Sequence, residues 1–370
     1  MSGRCPVVVA AGGTGGHLFP AEALAHALAA RGLEVHLITD ERAAKYGGDF
    51  PAHTIHMVAA ATPSSGSLVA RAMAIFTLIR GTVTALRLVK RIRPRAVIGF
   101  GGYPAVPPVL AATLLRVPTI VHEGNAVIGR ANRFLAPRVD AIAKGFEVLD
   151  GLPKALAAKT HLTGNPVRPM VIDAQRIAFP DCSAGKLRIL VTGGSQGARM
   201  FSDIVPAAIE LMPDAARQKL VIVQQARAED EERVRNTYRR LGVDAEVRSF
   251  FSDLPLRIAQ AHLVIARAGA STVSELAVIG RPAILVPLPH ALDQDQAANA
   301  RQLAAAGAAV VAAQSAFSPQ WLATSLVEAQ GDMASLARRA AAAKRAGIPD
   351  AAARLAGLVQ SLMSDKGINL

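Results

Sequence analysis

Twice in 370 residues a short β-branched run ends in a cluster of glycines and passes into a helical stretch. The two occurrences are VVVAAGGTGGH, Val7 to His17, and ILVTGGSQGAR, Ile189 to Arg199. A strand, glycine turn and helix in this order open a parallel βαβ unit, since the chain must cross back over the sheet before a parallel strand can follow. Two such openings half a chain apart argue for an α/β chain with two doubly wound sheets. At roughly 150 to 200 residues per domain the length accommodates both. Further strands are expected at 34–38, 95–100, 119–122 and 141–143 in the first half, and at 220–224, 246–248, 262–266, 283–287 and 309–311 in the second. Between the halves lies TGNPVRP, Thr163 to Pro169, whose prolines suit a stiff linker better than a central strand. The domains are therefore read as 1–165 and 166–347. The remaining 348–370 carries a last helix at 350–364, open to packing back on either domain, the N-terminal one included.

Half of the residues (51%) are hydrophobic and 19% are charged, which excludes a disordered or fibrous chain. The net charge of +13 favours an anionic partner: a nucleotide, nucleic acid, phospholipid or phosphorylated substrate. A nucleic-acid partner is not expected, because one tryptophan and three tyrosines leave few groups on which bases could stack. Cys5 and Cys182 form neither a disulfide framework nor a CxxC site, so a reducing compartment is expected. The N-terminus has too short an apolar run for a secretory signal, and 96–115 holds three glycines and three prolines, so it is not expected to span a membrane. From Phe50 to His122 there is no acid at all, while Arg71, Arg80, Arg87, Lys90 and Arg91 fall inside. Leu68, Ile75, Ile79, Val83 and Leu86 recur there at helical spacing, which makes a basic amphipathic segment. Gly81 is a point at which it would break into two helices. The stripe could pack on its own sheet or face an anionic membrane.

Glycines after a first strand let a phosphate approach backbone N–H groups at a helix start. GGTGGH lacks the Lys-Ser/Thr of a Walker A loop, and counted from Gly13 its sixth residue is Leu18, not glycine. Nicotinamide and ATP chemistry are thereby disfavoured, with tight packing alone as the plain alternative. His17, directly after the turn, is a candidate general base; a polar helix cap is the other reading. His122, Glu123 and Asn125 could orient substrate hydroxyls, although this segment taken alone reads as a solvated loop. In RAGASTVSELAVIGRP, Arg267 to Pro282, Ser271 is a good N-cap, the helix start suits a phosphate and Glu275 suits ribose hydroxyls. Asp293-Gln294-Asp295 has metal-ligand spacing, but a helix start is favoured there. No metal or cofactor is expected, because helix N-termini can stabilise a leaving diphosphate.

Taken together and in order, these elements resemble the MurG family of peptidoglycan N-acetylglucosaminyltransferases over nearly the whole chain. The anchors are GGTGGH at Gly12, GGYPAVPPVLAA at Gly101, HEGNAVIGRAN at His122, GNPVR at Gly164, GGSQGA at Gly193, GASTVSE at Gly269 and the loop ending at Gln296. The resemblance implies the GT-B architecture, two Rossmann-like domains facing across a cleft. It implies inverting transfer of N-acetylglucosamine from UDP-N-acetylglucosamine to the muramoyl 4-hydroxyl of the undecaprenyl-diphosphate-linked acceptor, lipid I. The enzyme would sit peripherally on the cytoplasmic face of the inner membrane, against anionic lipid. Thr14, Gly15, Gly16 and His17 would line the acceptor side and donor sugar, and Asn125 would contact N-acetylglucosamine. Arg168, Ser195, the backbone around Phe251, Ala270, Ser271, Thr272, Val273, Ser274, Glu275 and Gln296 would hold the donor in the C-terminal half. His17 is the leading base and Glu123 its rival. Gly124 stands where the family usually has glutamine, which removes an amide and loosens the backbone. A UDP-sugar epimerase of the same architecture, or another GT-B glycolipid glycosyltransferase, is the alternative.

Overall fold

The computed structural model describes residues 6–13, 15–41, 50–63, 67–182, 185–194, 197–289 and 295–365. The chain divides into two units, Met1–Arg168 with Pro349–Leu370, and Pro169–Ile348.

The first unit runs β1 (Pro6–Ala10), α1 (Gly15–Ala29), β2 (Glu34–Thr39), β3 (Thr54–Met57), α2 (Leu68–Ile92), β4 (Ala96–Gly99), α3 (Val106–Leu114), β5 (Thr119–Glu123), α4 (Arg130–Leu135), β6 (Ala141–Lys144) and β7 (Thr160–Leu162). Its sheet has the order β3-β2-β1-β4-β5-β6-β7 with parallel pairing throughout. The central strands are buried on both faces, as all-parallel strands must be, and read as unbroken Val/Ile runs. Strands β3 and β7 escaped the sequence reading. Both are short edge strands of half-exposed residues, without an apolar run to mark them.

In the second unit the order is α5 (Pro169–Ala174), β8 (Leu187–Thr192), α6 (Arg199–Glu210), α7 (Asp214–Arg217), β9 (Leu220–Gln225), α8 (Ala228–Arg240), β10 (Asp244–Arg248), α9 (Leu254–Gln260), β11 (Leu263–Ala266), α10 (Ala270–Ile279), β12 (Ala283–Leu285), α11 (Asp295–Ala305), β13 (Ala309–Val311), α12 (Pro319–Gly331) and α13 (Met333–Ala346). The six strands are again parallel, in the order β10-β9-β8-β11-β12-β13. Helix α14 (Ala351–Asp365) then returns to the first unit. Its Leu355, Ala356, Val359 and Met363 are fully buried beside Leu24 and Leu28 of α1. Arg31 donates to the Gln360 side chain and the Ala353 carbonyl.

Helix α2 departs from expectation in one way and decides between two readings in another. Gly81 does not break it: the helix is continuous over 25 residues, and a Cβ at Gly81 would stand 2.3 Å from the Ala59 carbonyl oxygen. The glycine is a point of close backbone approach. The buried face is the small one, Ala74, Gly81, Ala85 and Val89, whereas the large apolar stripe lies outside, with Leu68 82% and Ile79 57% exposed, so of the two readings packing on its own sheet does not hold. By length and composition alone α2 could cross a membrane; in this unit its small face packs beside Pro107 of α3.

Candidate active site

In an open parallel sheet, ligands gather at the carboxyl ends of the strands where the order reverses. In the first unit that point lies between β1 and β4. The turn after β1 holds Gly12 and Gly13, and the segment after β4 holds Gly101 and Gly102 at φ +82° and +65°. His17, the third residue of α1, fills the space these glycines leave. A Cβ on Gly102 would stand 3.3 Å from the His17 ring, and one on Gly101 would stand 3.2 Å from Asn132 Nδ2 and in ordinary contact with the ring at 3.6 Å. His17 Nδ1 is sealed from solvent without a direct hydrogen bond. Burial pushes the ring's pKa below its ordinary value, and the Gly12 backbone opposes this in part. The ring is therefore neutral at pH 7 and able to accept a proton. Gly15 and Gly16 form the first turn of α1; Thr14 lies outside the described residues.

The loop after β5 is not solvated. His122 and Glu123 are 1% and 4% exposed, and Asn132 is equally buried. Glu123 Oε1 accepts from the Asn125 N–H at 3.0 Å and its side-chain amide at 3.3 Å. Oε2 accepts from the Gly129 N–H and from Asn132 Nδ2, both at 2.9 Å. Burial pushes the carboxyl pKa up and these four donors pull against it. With both oxygens committed to shaping the loop, Glu123 is poorly placed to take a substrate proton, contrary to its reading as a rival base. Asn125 lies in the same loop with its amide turned onto Glu123. His122 Nε2 sits 3.1 Å from the Gly164 carbonyl, which it meets as donor. Burial, the largest influence, holds its pKa down at about 4. Gly124 does not loosen the backbone: Asn165 Nδ2 donates to its carbonyl at 2.8 Å. Arg168, expected on the donor half, belongs to the first unit and lies over the Phe19 ring of α1 at 4.3 Å.

The second unit repeats the arrangement between β8 and β11. Gln225, at the end of β9, was missed in the sequence. Its Oε1 accepts from Thr192 Oγ1 at 2.9 Å and the Gly193 N–H at 3.2 Å, while its Nε2 donates to the Ser249 carbonyl at 3.2 Å. One carboxamide thus ties together the ends of β8, β9 and β10. Ser195 lies outside the described residues. Phe251, after β10, is buried under the Arg257 guanidinium at 5.1 Å.

Helix α10 starts two residues earlier than Ser271 as N-cap would have set it. Gly269 is the N-cap and no side chain caps it, so Ser271 and Thr272 fall in the first turn with their N–H groups at the helix start. Glu275, in the next turn, is buried. An uncapped N-terminus with buried flanks suits an anionic group. Gln296 Oε1 accepts from the N–H groups of Ala268 and Leu288 at 3.3 and 3.1 Å, pinning the segments after β11 and β12. Its Nε2 is the end able to donate to a ligand. Asp295 begins α11, while Asp293 and Gln294 lie outside the described residues. Among the described residues no group of three or more His, Cys, Asp or Glu could hold a metal ion.

The sequence matches the glycosyltransferase family 28 N-terminal domain over residues 7–144 and the C-terminal domain over residues 188–355. It is 58% identical, over 95% of this chain and 96% of the other, to a protein of Methylorubrum populi named UDP-N-acetylglucosamine--N-acetylmuramyl-(pentapeptide) pyrophosphoryl-undecaprenol N-acetylglucosamine transferase. A protein of the same name from Brucella suis biovar 1 is 53% identical over 98% of this chain and 95% of the other. Among solved structures, Acinetobacter baumannii MurG superposes with a TM-score of 0.80 at 30% identity, covering 97% of this chain and 100% of that one. The UDP-GlcNAc 2-epimerase of Neisseria meningitidis, bound to UDP-GlcNAc, shares the fold at a TM-score of 0.66 and 14% identity, covering 97% and 100%.

Proposed function

The chain belongs to glycosyltransferase family 28, and from that premise we infer that it is the MurG-type hexosyltransferase of peptidoglycan synthesis, with the GT-B fold. It transfers N-acetylglucosamine from UDP-N-acetylglucosamine to the undecaprenyl-diphosphate-linked N-acetylmuramoyl-pentapeptide, converting lipid I to lipid II. The observation that carries this is full-length identity of 53–58% to relatives that bear that activity as their name. The epimerase alternative rests on fold alone. A thin-layer assay with labelled UDP-N-acetylglucosamine separates the two. Label should move into the lipid fraction only when lipid I is supplied, and formation of a free epimeric sugar nucleotide without acceptor would overturn the assignment.

The residue roles are those the family motifs imply, with the chemistry each side chain can perform. His17, neutral and held against the glycines after β4, takes the proton of the muramoyl 4-hydroxyl as that oxygen attacks the anomeric carbon from the face opposite UDP. The bond to the UDP oxygen breaks as the new β-linkage forms. The negative charge left on UDP is met by the N–H groups of Ala270, Ser271 and Thr272 and the positive end of α10. Glu275 binds the ribose hydroxyls, Gln296 donates to the donor sugar, and the turn at Gly193 binds the diphosphate. The backbone at Phe251 reads the base. Val273 and Ser274, buried beneath the first turn, fix its direction. Thr14, Gly15 and Gly16 line the acceptor side, Asn125 meets N-acetylglucosamine, and Arg168 offers a cation to the donor.

A lipid-linked acceptor stays at the bilayer, so the enzyme works peripherally at the inner face of the membrane. The outer face of α2 suits this contact: Leu68, Met73, Ile75, Phe76 and Ile79 are exposed among Arg71, Arg80, Arg87, Lys90 and Arg91. An exposed apolar patch rimmed by arginines fits an anionic lipid surface better than bulk water.

A further inference from the structure

A carboxylate fills the first glycine turn. Asp40 directly follows β2, is 6% exposed and accepts the Gly13 N–H at 3.0 Å. The fit is close, because a Cβ on Gly12 would stand 2.7 Å from Asp40 Oδ1 and 2.9 Å from Pro104 Cβ. The turn is thus gripped from the ends of β2 and β4 together. Turns of this kind ordinarily offer their N–H groups to a bound anion. Here the Gly13 N–H is already engaged, and a phosphate seated there would meet a buried like charge. What the grip holds in place is the turn that leads into α1, which starts at Gly15 and carries His17 against Gly102; the Gly12 backbone also supports the protonated ring. His122 of β5 is the other titratable group that faces this ring. Asp40 reaches it through the backbone.

We propose that Asp40 is a positioning residue of the transfer reaction: through its hydrogen bond to Gly13 it fixes the Gly12–Gly13 turn and so sets the start of α1, which carries His17, against Gly102. The inference rests on the reading of His17 as the base. The contact needs an oxygen acceptor of aspartate length and does not need the negative charge. Asparagine is therefore the informative substitution.

The test uses the full chain carrying Asp40→Ala, Asp40→Asn or His17→Ala. Turnover is measured with UDP-N-acetylglucosamine and lipid I, and the His17 ring is titrated by NMR on histidine-labelled protein without substrate. Asp40→Ala should lower kcat by about ten- to a hundredfold, as for a catalytic group displaced by a fraction of an ångström to an ångström. KM for UDP-N-acetylglucosamine should stay within about twofold, because the groups assigned to the uridine and the diphosphate lie in the other unit. The His17 titration should move to lower pH as the ring loses the support of the Gly12 backbone. Asp40→Asn should restore most of the turnover and the His17 titration of the parent. If Asp40→Ala does not fold, Asp40→Ser, one bond too short to keep the 3.0 Å contact, makes the same comparison. Parent-like turnover and His17 titration in Asp40→Ala would overturn the proposal. So would an Asp40→Asn protein as impaired as Asp40→Ala, since the charge would then be the operative property. Full activity in His17→Ala, with the His17 titration still displaced by Asp40→Ala, would remove His17 as the base and leave Asp40's hold on it standing.

Discussion

His17 after β1 and Glu123 at the end of β5 are rival bases by position, and their surroundings divide them. Burial keeps His17 neutral, while Glu123 spends its oxygens on four N–H donors. Because the His17 pKa lies below 6.5, the competent neutral form persists through pH 7–8 and is lost on the acid side. Plots of kcat/KM for lipid I should accordingly be flat in the neutral range and fall at acid pH below 6.5. His17→Ala should lose about a hundredfold in turnover and bind UDP as before; normal turnover on lipid I would exclude the role. Glu275→Ala should instead weaken UDP binding by about 1 to 3 kcal/mol, the effect of losing a hydrogen bond to a charged group. Calorimetry with UDP decides it, and an unchanged affinity would sink the assignment. Both residues are legible in sequence because each is adjacent to its glycine motif. Asp40 and Gln225 are not: their partners Gly13 and Gly193 lie 27 and 32 residues away, and only the parallel register brings strand ends together.

At the scale of elements, helix α2 shows where pattern reading leaves a choice. Counting large apolar residues marks Leu68, Ile75, Ile79 and Val83 as a stripe that fits either the core or a membrane, and the unit buries Ala74, Gly81 and Ala85 instead. Small residues win the inner position because α2 approaches the Ala59 carbonyl too closely for a Cβ. Replacing Gly81 by alanine would improve helix propensity by about 1 kcal/mol, but a 2.3 Å approach to a backbone oxygen costs more, so the glycine stays. The large residues left outside motivate a membrane experiment. Arg80→Glu with Arg87→Glu should reduce co-sedimentation with anionic vesicles, at about 1 kcal/mol for each basic group near the surface. Binding of the parent should fall as salt is raised, with UDP binding intact in both proteins. Equal sedimentation with neutral and anionic vesicles at every ionic strength would rule out electrostatic docking. The central strands gave no such trouble: continuous Val/Ile runs can only be doubly buried, whereas β3 and β7 carry no signal beyond their edge position.

At the scale of the whole molecule, two glycine turns half a chain apart were enough to indicate two parallel sheets, since little else accommodates a strand, a glycine turn and a helix repeated in this way. The destination of α14 could not be read, because its amphipathic pattern fits any apolar face; the fold settles it against α1. Leu355→Ala, at a fully buried position, should cost about 2 to 5 kcal/mol and lower the melting transition of the first unit while leaving UDP affinity unchanged. A loss of UDP affinity of the same size would mean that the units do not melt separately. The return of α14 also puts a delay into the birth of the protein. The ribosome must complete the roughly 180 residues of the second unit before it reaches the helix that covers Leu24 and Leu28. At about 5 to 20 residues per second that face waits uncovered for roughly ten to forty seconds, long enough for a chaperone to visit it.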